Sequence, residues 1–226
     1  MRSYIYRMPI GALALALSVG ACANMDSGSS ANSQSGAQSR TVVAPAMNHL
    51  TLTQASVTSM IASWPEASRM AAADMMQKYG PPQEATASML MWRNNGPWAW
   101  TRIDNVETEH LFPARHPDVM EQAIAYRVPA AMFDELAAYD GSVHVRRTQG
   151  WISARCDKEG ANFLALNLAY DIVEGRRTVE QARTYYAAAI RTFTTTGQAD
   201  PYMQRLAFQR PRGNQGDPDV AAARVG

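Results

Sequence analysis

The order of its periodic segments constrains the fold of this chain more than any other feature of the sequence. Segments with helical periodicity lie toward both ends, and short strand-like segments separated by turn residues lie between them. Helices are predicted over residues 54–62, 64–79, 130–139, 162–173 and 179–193, and strands over 88–92, 98–103, 123–128, 143–147 and 151–156. This order predicts an α+β fold in which helices pack on one face of an antiparallel sheet built from hairpins. Parallel βαβ units are the less favoured alternative.

Turn and capping residues define the boundaries of these segments. The Asn-Asn-Gly-Pro sequence at 94–97 and the Gln-Gly sequence at 149–150 each separate two strand-like segments, and they predict two hairpins. Ser63 and Glu66 have the spacing of a capping box, which predicts a helix N-terminus there. Thr178 and Gln181 have the same spacing at the start of the last helical segment.

Composition divides the chain into one folded domain with polar flanks. Residues 22–44 and 211–226 are rich in Gly, Asn, Gln, Ser or Pro and contain few large apolar side chains. Such segments bury too little surface to offset the entropy of ordering the chain. We therefore expect a flexible tether over 22–44, a single globular α+β domain over 45–210 and a disordered tail over 211–226.

The N-terminal segment, residues 1–21, has the pattern of a secretion signal peptide. Two arginines within the first seven residues precede an apolar run over 8–19, and small residues follow it. Residues 19–22, Val-Gly-Ala-Cys, resemble the lipobox of bacterial lipoproteins. The resemblance implies cleavage before Cys22, attachment of acyl chains to Cys22 and a membrane anchor made of lipid alone. Ala23, in place of Asp, implies location in the outer membrane with the domain facing the periplasm.

Net charge and missing motifs narrow the range of functions. The full chain has a formal net charge of +1, and removal of Arg2 and Arg7 with the signal (+1 − 2) leaves −1. A nearly neutral chain gives no support for a nucleic-acid partner. The sequence also lacks a phosphate-binding Gly-rich loop, an HExxH motif, paired CxxC motifs and a Gly-x-Ser-x-Gly elbow. We predict no catalytic residue, no metal and no cofactor besides the lipid on Cys22.

Cys156 is left without a partner in the chain if Cys22 is lipidated, because the chain has two cysteines. It is then buried, reactive or paired with another molecule. A buried, inert thiol is favoured, because free cysteine is among the most buried residue types. A nucleophilic thiol needs a base, and only histidines distant in sequence can supply one.

The sequence around residues 109–118 holds the densest cluster of ligand-type side chains. His110, His116 and Asp118, with Glu109, lie in a stretch that we assign to a loop. Two imidazoles and two carboxylates can bind zinc or share a proton-transfer step, but polar side chains facing water are the more common arrangement. The spacing matches no recognised metal site.

Two other groups of residues have both a functional and a structural interpretation. Trp98 and Trp100 are two residues apart, so they are predicted to share a sheet face and to form either a stacking platform or part of the core. The core interpretation is favoured. Asn167 and Asp171 are one helical turn apart and can form a joint hydrogen-bonding site; more commonly, such residues mark the solvent edge of a helix or satisfy a neighbouring backbone group.

These observations predict a lipid-anchored envelope protein with a non-catalytic binding or scaffold domain. Its expected partners are the membrane, through the lipid, and an envelope protein or glycan. The alternative is a small metal-dependent or acid–base enzyme that uses the loop carrying His110 and His116.

Overall fold

The computed structural model describes residues 52–223. The helices are Gln54–Met60 (α1), Glu66–Tyr79 (α2), Phe133–Tyr139 (α3), Glu159–Val173 (α4), Val179–Thr196 (α5) and Pro201–Gln204 (α6). The strands are Glu84–Ala85 (β1), Met89–Arg93 (β2), Trp100–His110 (β3), His116–Ala125 (β4), Val143–Arg146 (β5) and Trp151–Cys156 (β6). The signal peptide, Cys22 and the tether lie outside the described residues. None of the helices described is both long and apolar enough to cross a membrane.

The six strands form one antiparallel sheet in the order β1-β2-β3-β4-β6-β5. The α+β class and both predicted hairpins, β2–β3 and β5–β6, are confirmed. The register aligns alternate apolar residues of β2, β3, β4 and β6 on one face, against α2 and α4. These residues are Leu90, Trp92, Ile103, Met120, Ile124, Ile152 and Ala154, all at most 3 % exposed.

The core consists of two adjoining clusters on this face of the sheet. One joins α1 and α2 to β2 and β3, and it includes Val57, Met75 and Trp92. The other joins α3, α4 and α5 to β4 and β6, and it includes Leu164 and Leu168. Each fully buried large side chain contributes about 1.5–3 kcal/mol to stability through removal of its apolar surface from water. Helix α4 is apolar around most of its circumference, and it packs against the sheet, α3, α5 and α6.

The predicted capping box of α2 and the predicted start of β4 were wrong. Helix α2 has Pro65 at its N-cap and no side-chain hydrogen bond there, so Ser63 and Glu66 form no capping box. The capping box of Thr178 and Gln181 is confirmed. Strand β4 begins at His116 instead of 123, because pairing with β3 extends the strand past Pro117. Proline is tolerated there because β6 pairs with β4 only from Met120 onward, so the missing N–H interrupts no ladder on that side.

The C-terminal residues that the structure describes beyond 210 contain no helix or strand. They contact the turn between β5 and β6 and its surroundings. Arg127 donates a hydrogen bond to the carbonyl of Gly216 (2.8 Å), and the Arg147 Nε donates to Asp217 (3.1 Å). A Cβ atom at Gly150 would lie 2.1 Å from the backbone of Gln215, so this close approach requires glycine.

The other face of the sheet carries a buried carboxylate held by three polar partners. Glu121 is 5 % exposed; Ser153 donates to its Oε1 (2.6 Å), and His144 Nδ1 and Arg146 Nη2 lie 3.7 and 3.6 Å away. Burial raises the pKa of Glu121, but His144, Ser153 and Arg146 outweigh burial and lower the pKa to about 2.

This carboxylate is expected to make stability depend on pH. The pKa of Glu121 falls from 4.5 to about 2 on folding, so the stabilisation is complete above pH 4.5 and is lost as pH falls toward 2. The shift corresponds to about 3 kcal/mol in the free energy of unfolding. Chemical denaturation of wild type and Glu121→Gln between pH 2 and 6 measures this difference. A difference that does not change across the range would contradict the assignment.

Candidate functional site

The ligand-type cluster of the sequence lies at the paired ends of β3 and β4, and its assignment to a loop was wrong. His110 is directly opposite His116 in the antiparallel register, and Asp118 is opposite Thr108. Residues two apart in a strand face the same way, so the register places His110, His116 and Asp118 on the helix-facing side of the sheet. Glu109 is exposed and pairs with Arg115 (2.5 Å), so it does not join the cluster.

The three side chains surround one buried carboxylate. Asp118 is 2 % exposed. His116 Nε2 lies 3.2 Å from its Oδ1, and His110 Nδ1 lies 3.6 Å from its Oδ2. One donor atom from each residue lies within 4.8 Å of the other two. Both imidazoles are partly exposed, and His116 borders an open polar cleft of about 490 Å³, so solvent reaches the cluster.

Two residues that the sequence analysis missed complete the surroundings of the cluster. Ser142 donates a hydrogen bond to Asp118 Oδ2 and lies 3.3 Å from His110 Nδ1. Asp140 Oδ1 lies 3.6 Å from His110 Nε2 and accepts the backbone N–H of Ser142 (2.8 Å). Both residues follow α3 and are distant from the cluster in sequence. The sequence around 140–141 indicated only the end of a helix, so no local signal pointed to this role.

The orientation of His116 follows from its contact with a backbone carbonyl. Its Nδ1 lies 2.7 Å from the oxygen of Ala114, and because a carbonyl only accepts, Nδ1 carries a proton and donates it. Nε2 therefore faces Asp118. Burial alone lowers the pKa of His116, but its other contacts, of which the hydrogen bond with Asp118 is the largest, outweigh burial and raise the pKa.

The carboxylate of Asp118 lies between the two imidazoles. Its Oδ1 is buried and faces His116 Nε2 at 3.2 Å, an ion-pair contact, while its Oδ2 accepts from Ser142. His116 Nε2 and His110 Nδ1 lie 3.2 and 3.6 Å from different oxygens of Asp118, and the ligand atoms of a tetrahedral ion bound at about 2.0–2.1 Å are roughly 3.3 Å apart. Because the three ligand atoms lie within 4.8 Å of one another, small side-chain movements would bring them to the dimensions of a metal site.

Cys156 lies on β6 opposite Met120 and within hydrogen-bonding reach of His116. It is 5 % exposed, which confirms the prediction of a buried thiol. Burial raises the pKa of Cys156 despite the opposing effect of His116, so the thiol is neutral at pH 7. One His116 ring nitrogen faces Ala114 and the other faces Asp118, so neither is free to take the proton of the thiol. This geometry disfavours a thiol nucleophile activated by His116.

Trp98 and Trp100 do not form an exposed platform. They are 1 % and 5 % exposed, but only Trp98 belongs to the core beneath the helices, so the core interpretation is confirmed for Trp98; Trp100 is buried on the other face of the sheet. The prediction that they share a face was wrong, because β3 begins at Trp100 and Trp98 belongs to the preceding turn. Trp98 stacks on Phe163 of α4 with a centroid distance of 4.6 Å, whereas Trp100 packs against Trp151 (5.9 Å).

The geometry therefore joins His110, His116 and Asp118 with Cys156 nearby, and it separates them from both tryptophans. The arrangement can hold a divalent cation between two imidazoles and a carboxylate. Comparison with known proteins adds no family to this description. No protein-family model matches the chain, and no curated protein or solved structure matches it either.

Proposed function

We propose that this chain is a bacterial lipoprotein whose folded domain binds a divalent transition-metal ion through His110, His116 and Asp118. One observation carries the proposal: the three side chains converge at one end of the sheet, each with one ligand atom within 4.8 Å of the ligand atoms of the other two. Two imidazoles and one carboxylate suit zinc and neighbouring first-row metals, whereas magnesium and calcium prefer oxygen ligands alone. The sequence predicted no metal, and the alternative was a metal-dependent or acid–base enzyme that uses His110 and His116. The proposal follows that alternative in assigning a metal to these residues.

Charge balance supports a cation at this position. The side chains of Asp118 and Asp140 are each 3 % exposed, and two buried carboxylates need compensating positive charge. A divalent ion bound between the imidazoles would supply this charge. A metal-binding imidazole nitrogen must be unprotonated, so binding would displace the proton that His116 Nε2 shares with Asp118.

The residues behind the three ligands hold them in place. The Ala114 carbonyl accepts the Nδ1 proton of His116, and Ser142 donates to Asp118. Asp140 faces the Nε2 of His110. Such outer contacts fix the tautomer and orientation of metal-binding histidines. Three protein ligands leave a coordination position for water or substrate, as in catalytic zinc sites, and a bound metal would act there as a Lewis acid.

The cellular setting of the proposed site rests on the N-terminal sequence. Lipid on Cys22 would hold the domain at the outer membrane, facing the periplasm, on a tether that extends to residue 44. A non-catalytic binding role for an envelope protein or glycan stays a prediction. Burial of Trp98 and Trp100 removes the surface that the sequence offered for that role.

The metal content of the purified protein tests the proposal. The full chain, extracted in detergent and dialysed, is expected to retain about one zinc ion, measured by plasma mass spectrometry. Added zinc is expected to raise the unfolding temperature, because a ligand at 100 times its dissociation constant stabilises by about 2.7 kcal/mol. Calcium at the same concentration is expected to have no effect.

Three variants separate a specific site from adventitious binding. Asp118→Asn keeps the size of the side chain, and His110→Ala with His116→Ala removes both imidazoles; each is expected to abolish retention of zinc. The matched control is His144→Ala, which removes a half-exposed histidine from the other face of the sheet and is expected to leave zinc content unchanged. Equal zinc in all four proteins, or none in wild type together with no thermal shift, would contradict the proposal.

A further inference from the structure

A cavity adjoins the proposed metal site on the helix-facing side of the sheet. Its volume is about 360 Å³, near the lower end of the roughly 300–1,000 Å³ typical of small-molecule sites. The loop between β3 and β4 forms one wall, the connection from β6 to α4 forms a second, and α5 with α6 forms a third. His116 and Cys156 both line it, so the cavity reaches one of the three proposed metal ligands, His116.

The wall opposite His116 is apolar. It consists of Tyr186, Ile190 and Phe193 from α5 and Met203 from α6. Tyr186 and Met203 are 3 % and 8 % exposed, so this wall is fixed by the core behind it. A fixed apolar wall in a small-molecule cavity favours ligands that remove apolar surface from water.

The charged residues at the cavity do not select a charged ligand. Arg115 is paired with Glu109 (2.5 Å), and Lys158 is paired with Asp157. Their charges cancel within the described part of the chain. On the α5 side, the cavity has two hydroxyl groups, those of Thr194 and the buried Tyr186. Two hydroxyls are too few to bind a sugar. The lining therefore favours a ligand that consists of one apolar group and one polar group.

We propose that this cavity binds the apolar acyl or aryl group of a carboxylic acid derivative whose carbonyl oxygen reaches the metal ligand set at His116. Binding of the carbonyl oxygen rests on the metal site of the proposed function. Binding of the apolar group rests on the cavity alone. The volume of about 360 Å³ is large enough for an aromatic ring or an acyl chain, since a cavity of about 150 Å³ already holds benzene.

A pair of hydroxamates tests the complete ligand. Hydroxamates bind metal ions through two oxygens, so benzohydroxamate and acetohydroxamate differ only in the apolar group. Bound to the cobalt-loaded full chain, benzohydroxamate is expected to bind at least about tenfold more tightly, measured by the visible absorption of cobalt. Ile190→Trp fills the cavity and is expected to abolish this preference while cobalt content stays at one ion. Ala188→Trp, on the exposed side of α5, is the matched control and is expected to retain the preference.

A second measurement tests the cavity without a metal. Benzyl methanethiosulfonate transfers its benzylthio group to a thiol, forming a mixed disulfide and releasing methanesulfinate. Its reaction with Cys156 in metal-free protein, followed by peptide mass spectrometry, is expected to be at least about tenfold slower in Ile190→Trp than in wild type or Ala188→Trp.

The outcomes distinguish the two proposals. Equal labelling rates in all three proteins would overturn the cavity proposal whether or not a metal binds. Slower labelling in Ile190→Trp, combined with no cobalt binding in wild type, would support the cavity for the apolar group and overturn the metal site. Equal binding of the two hydroxamates to cobalt-loaded wild type would overturn the cavity proposal and leave the metal site standing.

Discussion

Replacement of Glu159 by alanine is expected to lower the free energy of unfolding by about 2–4 kcal/mol, because it removes the shared acceptor of two hydrogen-bond donors. Glu159 lies in the first turn of α4, and its side chain is 11 % exposed. Its Oε1 accepts hydrogen bonds from Tyr79 (2.6 Å) and from the indole of Trp98 (2.6 Å), and its Oε2 pairs with Lys78. The carboxylate joins α2, the β2–β3 turn and α4.

The size of this effect comes from the donors that the substitution leaves without partners. Trp98 is 1 % exposed, and its N–H would lose its acceptor in a site that water reaches poorly. An unpaired buried donor costs about 1–3 kcal/mol. Tyr79, whose hydroxyl is partly buried, would lose its acceptor in the same step.

Two further variants separate these contributions, with urea denaturation as the measurement. Glu159→Gln keeps an oxygen acceptor for Tyr79 and Trp98 but loses the pair with half-exposed Lys78, so a loss of about 1 kcal/mol is expected. Glu180→Ala is the matched control, because Glu180 is exposed and lies in the first turn of α5. If Glu159→Ala cost no more than Glu180→Ala, the network would not contribute to stability.

Replacement of Asn167 by aspartate is expected to detach the C-terminal segment that follows α5. Asn167 is 1 % exposed, and its amide donates to the carbonyls of Tyr202 (2.9 Å) and Arg205 (2.8 Å). Its side-chain oxygen accepts the backbone N–H of Ala207 (2.7 Å). Aspartate keeps the acceptor for Ala207 but places a negative charge against two carbonyl oxygens, at an expected cost of about 2–4 kcal/mol.

Hydrogen exchange locates the effect of Asn167→Asp. Protection is expected to fall over residues 199–208, where Phe208 stacks on Tyr170 at a centroid distance of 4.0 Å. Exchange in β4 is expected to change less, because that strand is held by neighbours on both sides. Asn214→Ala is the control, since Asn214 is exposed and bonds only within its own turn. Unchanged exchange over 199–208 would show that Asn167 does not hold the segment.

Asn167 and Asp171 illustrate what helical periodicity predicts well. Their interruption of an apolar helix indicated polar partners, and the favoured interpretation, contacts with neighbouring backbone, is confirmed for Asn167. Asp171 instead pairs with Arg177 (2.9 Å) and accepts from Tyr202 (3.1 Å). The partners Tyr202, Arg205 and Ala207 were not predictable, because they lie in a segment that approaches α4 only after folding.

The candidate site also has a part that the sequence predicts and a part that depends on the fold. His110, His116 and Asp118 are recognisable as a ligand-type cluster because they lie close together in the sequence. Their distances depend on the β3–β4 register, which aligns His110 with His116. Asp140 and Ser142 reach the cluster only because β5 packs beside β6 and places the end of α3 near β4.

The sequence by itself determined the α+β class, both hairpins and most of the helices, because periodicity and turn chemistry act within a window of a few residues. Only the tertiary structure decided that β4 begins at His116, that Trp98 and Trp100 face different neighbours, and that Cys156 lies beside His116. These features depend on strand pairing and helix–sheet packing between residues far apart in the chain. Local propensity carries no information about such contacts, since their free energy comes from surfaces that meet only in the folded state.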